Sequence, residues 1–102
     1  MTWYDYIACF IAGMLLANVV PHFVHGISGD PFPTPFAHPR GKGLSSPTVN
    51  VVWALFNLVV GYILFRAGKV ASGGDSALVI FFAGIAVIST VLSVRFAKKQ
   101  AE

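Results

Sequence analysis

Histidine side chains are the clearest candidates for chemistry in this sequence. His22 and His25 stand three residues apart, and His38 follows in a proline-rich stretch. Three imidazoles could bind zinc or copper, and histidine also titrates near neutral pH. A His-x-x-His pair with no cysteine and no carboxylate beyond Asp30 nearby is not specific for a metal, however. We therefore predict a hydrogen-bonded or proton-sensitive cluster without metal or cofactor, and keep a metal site as the alternative.

An asparagine extends this cluster by one helical turn. Asn18 precedes His22 by four residues, so that both can share a face with His25 if the helix continues through Pro21. Proline removes one helical hydrogen bond and clashes with the carbonyl of the residue four positions earlier. We therefore expect a kink or an early end of the helix at Pro21.

Two further asparagines lie on one stripe of a later apolar stretch. Asn50 and Asn57 are seven residues apart, and Gly61 follows one turn later. Buried asparagines in membranes hydrogen-bond to neighbouring helices, and small residues let helices approach closely. We interpret the stripe as a packing surface, with a solute-lining stripe as the alternative. Small residues predict packing surfaces on the other two helices as well: Ala8, Ala12, Gly13 and Ala17, then Ala86, Ser89, Thr90 and Ser93.

A basic, glycine-rich stretch precedes the second apolar stretch. Ser46 can cap a helix there, and Pro47 fits the first helical position, where its missing N–H costs nothing. We interpret this segment as an ordinary interfacial helix cap. The alternative is an anion or lipid-headgroup cradle made of Arg40, Lys42, Ser45 and Ser46, because helix starts carry free backbone amides.

Catalytic patterns are missing from the sequence. It has no nucleophile–base pair, no carboxylate pair and no cofactor fingerprint, so we predict no catalytic residue. A basic surface interleaved with aromatic residues, which would indicate nucleic-acid binding, is missing too.

The elements that position these side chains follow from the composition. Of the 102 residues, 56% are hydrophobic and 11% are charged, whereas soluble domains are about 25% charged. Formal charges are missing from residues 6–29, 43–65 and 76–94, and each stretch is long enough to cross a bilayer as a helix. We predict an all-α membrane protein with one integral domain, 1–102. Its transmembrane helices lie at about 4–25, 47–66 and 76–96, and a long Pro/Gly-rich loop joins the first two.

The loop contains a segment that cannot be helical. In Phe32-Pro-Thr-Pro-Phe36, each proline pushes its predecessor toward extended geometry. We expect this segment to lie along the membrane interface or to fold back against the helices.

Basic residues predict the orientation. Five Lys or Arg residues flank one side of the three spans and two flank the other, and the cytoplasmic side carries the excess. We therefore expect the N-terminus outside, with the long loop and the C-terminus in the cytoplasm. Arg95, Lys98 and Lys99 share a helical face and are predicted to anchor lipid phosphates.

The sequence resembles small bacterial inner-membrane proteins of uncharacterised activity. The similar stretches are Asn18-Val-Val-Pro-His-Phe23, Phe32-Pro-Thr-Pro-Phe-Ala37 and Gly41-Lys-Gly-Leu-Ser-Ser46, followed by Asn50, Trp53, Asn57-Leu58 and Gly61-Tyr62. The resemblance implies three spans in the bacterial inner membrane and supplies no activity.

We therefore expect a non-enzymatic multi-pass membrane protein that self-associates or serves as an accessory subunit of a membrane complex. Its partners would be the bilayer with its anionic headgroups, further copies of the chain or another membrane protein, and no nucleic acid. One alternative is a homo-oligomeric channel or transporter for a small solute or ion, with Asn50, Asn57 and His22 along its pathway. A second alternative is a membrane enzyme with a metal bound by the histidines.

Overall fold

The fold is a three-helix bundle with a short hairpin between the first two helices. The computed structural model describes residues 1–40 and 43–101, and side chains as far as residue 97. The helices are α1 (Trp3–Ile27), α2 (Pro47–Ala67) and α3 (Gly74–Ala101), and the antiparallel hairpin pairs β1 (Phe32–Pro33) with β2 (Leu44–Ser45). In the described part of the chain, three helices are long and apolar enough to cross a membrane, as the charge-free stretches predict.

α1 is the central helix of the bundle. It packs against both α2 and α3, whereas those two helices share few contacts in the described residues. Gly13 of α1 lies against the backbone oxygen of Phe81, and Gly84 of α3 lies against the backbone oxygen of Phe10. A Cβ atom at either glycine would collide with the facing backbone, so the two glycines set the close approach of α1 and α3.

The small residues predicted as a packing surface of α3 are not those that approach α1 most closely. Ala86, Ser89, Thr90 and Ser93 are all exposed, whereas Gly84 is buried. The small residues of α3 occur on two sides of the helix, and the close backbone approach that only Gly84 allows decides which side faces α1.

α1 does not end early at Pro21 but continues to Ile27. Proline leaves only one backbone hydrogen bond unmade, which membrane helices tolerate when neighbouring segments support the helix. Beyond the proline, Gly26 is buried against α2, and a Cβ atom there would lie 2.6 Å from Val51 Cγ2 and 2.9 Å from the backbone oxygen of Pro47. Packing on α2 therefore holds the last turn of α1 in place.

The connection from α1 to α2 is not the long loop that the sequence predicts. It folds back against the helices, and its hairpin pairs Phe32 with Ser45 and Pro33 with Leu44. The side chains of Phe32, Pro33, Thr34 and Ala37 are buried. The prolines keep this segment extended, and extended backbone can pair with β2.

Long-range contacts fix which segments share an end of the bundle. The Phe32 ring lies 4.7 Å from the Phe96 ring, so the hairpin and the C-terminal part of α3 are at one end. At the other end, Cys9 Sγ donates a hydrogen bond to the backbone oxygen of Gly68 over 3.0 Å. The N-terminal part of α1 therefore shares that end with the α2–α3 connection, as expected for three antiparallel helices.

Candidate functional site

Asn50 is the centre of a polar network at the hairpin end of the bundle. It lies in the first turn of α2 and is fully buried. Its Nδ2 shares two hydrogens among three backbone oxygens: Phe32 at 3.0 Å, Ser45 at 3.2 Å and Ser46 at 3.0 Å. One side chain thus ties both strands of the hairpin to the start of α2.

His22 joins α1 to this network. Its Nδ1 lies 2.8 Å from Asn50 Oδ1, and the side chain is buried. Because the Asn50 amide nitrogen faces three carbonyls, the Asn50 oxygen must be the acceptor, and His22 Nδ1 carries the proton. In the neutral ring, Nε2 is then the unprotonated nitrogen. The ring also packs edge-on against Phe32, with 5.5 Å between the ring centres.

A second polar contact joins α1 and α2 deeper in the bundle. Asn18 Nδ2 donates to Asn57 Oδ1 over 3.2 Å, and Asn57 Nδ2 donates to the backbone oxygen of Trp53 over 2.8 Å. One turn on, a Cβ atom at Gly61 would lie 2.8 Å from Leu16 Cδ2 of α1. The stripe of α2 therefore packs against α1.

The three histidines do not form one cluster. His25 stacks on Phe32 with 4.2 Å between ring centres, and its Nδ1 lies 3.9 Å from Asp30 Oδ2. His38 is exposed on the hairpin. Among the described residues, no three or more His, Cys, Asp or Glu side chains come close enough to hold a metal ion. A metal-free protein stays a prediction, which elemental analysis of untagged protein would test.

Both serines of the proposed anion cradle bond within the fold. Ser46 caps α2 as predicted, because its Oγ accepts from the backbone nitrogen of Val49 over 3.2 Å. Ser45 Oγ lies 2.6 Å from Thr34 Oγ1, which links β2 to the residue that follows β1. Arg40 is exposed on the hairpin, and Lys42 lies outside the described residues.

The polar network borders a cavity of about 300 Å³, which we call the α2–α3 groove. α1 lines it with Asn18 and His22, the hairpin with Thr34 and Arg40, and α2 with Trp53. α3 contributes four residues, which are Ile88, Leu92, Arg95 and Phe96. The sequence singles out Arg40 and Arg95 separately but gives no sign that both border one cavity.

Trp53 carries a feature that the sequence does not reveal. Its Nε1 is buried and has no hydrogen-bond partner in the described part of the structure. A buried donor without an acceptor costs about 1–3 kcal/mol. The donor belongs to a side chain that lines the α2–α3 groove.

Comparisons of the chain with protein-family models, with curated proteins and with solved structures find no match.

Proposed function

We propose that this chain is a non-enzymatic multi-pass protein of the bacterial inner membrane that self-associates through α3. The observation that carries the proposal is a stripe of small residues along the exposed side of α3: Ala83, Ala86, Thr90, Ser93 and Ala97. We call these five residues the α3 stripe. Their spacing of three and four residues places them on one helical face.

The α3 stripe has the properties of a helix-packing surface in a bilayer. Lipid gives no hydrophobic driving force for association, so membrane helices associate through close packing and interhelical hydrogen bonds, and small residues allow both. Within the chain, α3 contacts α1 through its opposite side, around the buried Gly84. The α3 stripe is thus free for a second copy of α3.

The polar network supports a structural role over the channel alternative. Asn50 and Asn57 are at most 1% exposed, and both hydrogen-bond inside one chain. A solute path along these side chains would require breaking the contacts that join α1, α2 and the hairpin.

Replacing a small residue of the stripe tests self-association. Thr90→Leu should convert an oligomer into a monomer, because the larger side chain would hold two α3 helices apart. The measurement is the particle mass in a mild detergent by light scattering, together with energy transfer between labelled chains in vesicles.

The matched control is Val91→Leu, which enlarges an exposed residue of α3 outside the stripe. It should leave the mass unchanged. A monomeric wild-type chain in both detergent and vesicles would contradict the proposal, as would a Thr90→Leu oligomer of unchanged mass.

A further inference from the structure

The α2–α3 groove combines an apolar wall with a cationic end. Met14 and Leu15 of α1, with Ile88 and Leu92 of α3, form the apolar part. The volume of about 300 Å³ is at the lower end of the range for ligand pockets, about 300–1,000 Å³. Because α2 and α3 share few contacts in the described residues, the groove lies between two helices that leave a gap above α1.

The cationic end comes from two separate elements. Arg40 belongs to the hairpin and Arg95 to the C-terminal part of α3, and both side chains line the groove. Among the described residues that line it, none is acidic, so neither arginine has a carboxylate partner there. Guanidinium groups bind phosphate with several parallel hydrogen bonds, which favours a phosphate-bearing ligand at this end.

The ligand must match both parts. The apolar side chains of α1 and α3 favour an acyl chain, and the two arginines that line the groove favour a phosphate. An oxygen that reached Trp53 would also supply an acceptor to the buried Nε1, which has none in the described residues. We propose that the α2–α3 groove binds one anionic phospholipid, with its phosphate between Arg40 and Arg95 and an acyl chain along the apolar wall.

This lipid site is independent of the proposed self-association. The α3 residues that line the groove, such as Ile88 and Leu92, are not part of the α3 stripe. Loss of lipid selectivity with an unchanged particle mass would therefore separate the two proposals, and so would the reverse result.

Fluorescence of Trp53 provides the test. The chain has two tryptophans, so Trp3→Phe leaves Trp53 as the single emitter. The protein is placed in vesicles of unlabelled phosphatidylcholine. A minor share of a lipid with brominated acyl chains is added, which is either phosphatidylglycerol or phosphatidylcholine. We expect the anionic brominated lipid to quench Trp53 at a several-fold lower mole fraction.

Removing the arginines should abolish this preference. One basic residue at a membrane surface contributes about 1 kcal/mol to the binding of anionic lipid. Because about 1.4 kcal/mol corresponds to a tenfold change, this energy gives about a fivefold preference. Arg40→Gln and Arg95→Gln should each lower the preference by about that factor. Arg66→Gln is the matched control, since Arg66 is an exposed arginine at the other end of the bundle and does not line the groove.

Three results would overturn the proposal. Equal quenching by the two brominated lipids would mean ordinary bulk lipid around Trp53. If Arg66→Gln lowered the preference for anionic lipid as much as Arg95→Gln does, the preference would be a general effect of charge. If inorganic phosphate alone removed the preference, the site would bind a small anion and not a lipid.

Discussion

At the scale of single residues, the asparagines were easier to identify from the sequence than their partners. A polar side chain in an apolar span must find a hydrogen bond, which singles out Asn50 and Asn57. The oxygens that Asn50 binds belong to backbone groups, however, and one of them lies 18 residues away in the hairpin. A backbone oxygen carries no mark in a sequence, so this part of the network could not be predicted.

Replacing Asn50 should destabilise the protein far more than replacing Asn57. Asn50→Ala removes the donor to three carbonyls and the acceptor of the buried His22 Nδ1–H. Since an unsatisfied buried group costs about 1–3 kcal/mol, we expect a loss of about 3 kcal/mol. Asn57→Ala removes one interhelical bond, for which about 0.6 and at most about 1.7 kcal/mol is expected.

The measurement is the free energy of unfolding in mixed micelles, with circular dichroism as the probe of unfolding. Losses of equal size for the two variants would show that Asn50 does not hold the hairpin in the way that its hydrogen bonds indicate.

At the scale of elements, the sequence predicted the helices but not the contacts between them. Charge-free stretches located the three spans because a charge inside lipid is costly, and Ser46 with Pro47 marked the start of α2. The hairpin was missed because each strand has two residues, too few for an alternating pattern. Gly84 was missed because several small residues of α3 compete for the contact, and only the backbone of α1 decides among them.

The helix crossings predict an order among glycine substitutions. Gly13→Ala would place a Cβ atom against the backbone oxygen of Phe81, which cannot move without displacing α3. Overpacking of this kind costs about 1–3 kcal/mol. Gly61→Ala would instead meet the side chain of Leu16, which can change its rotamer, so a smaller loss is expected.

Thermal unfolding of the two variants in detergent checks this order. Neither variant changes Gly29, whose φ of 77° favours glycine. A Gly61→Ala protein that is less stable than Gly13→Ala would show that the crossing of α1 and α2 is the tighter one.

At the scale of the whole molecule, the charged residues lie at the two ends of the bundle and leave the middle of each helix uncharged. Arg40 and Arg95 lie at the hairpin end with Asp30, whereas Asp5 and Asp75 share the other end with Arg66 and Lys69. The sequence predicted which segments share an end, because three spans alternate in direction. The excess of basic residues predicts which side of the membrane each end faces.

Accessibility of single cysteines tests this orientation. In a Cys9→Ser background, a membrane-impermeant thiol reagent applied to intact cells should label Ser72→Cys and should not label His38→Cys. Both positions are exposed, and they lie at opposite ends of the bundle. Labelling of His38→Cys alone would reverse the orientation and leave the three-helix fold unchanged.

The central place of α1 also has a consequence for biosynthesis. α1 leaves the ribosome before α2 and α3, and its Asn18 and His22 find their hydrogen-bond partners on α2. Until α2 enters the bilayer, these partners are missing, which disfavours early release of α1 into lipid. In the described residues, α3 gives no hydrogen bond to either side chain. Insertion should therefore proceed with α1 and α2 as a pair, and α3 should dock afterwards through Gly84.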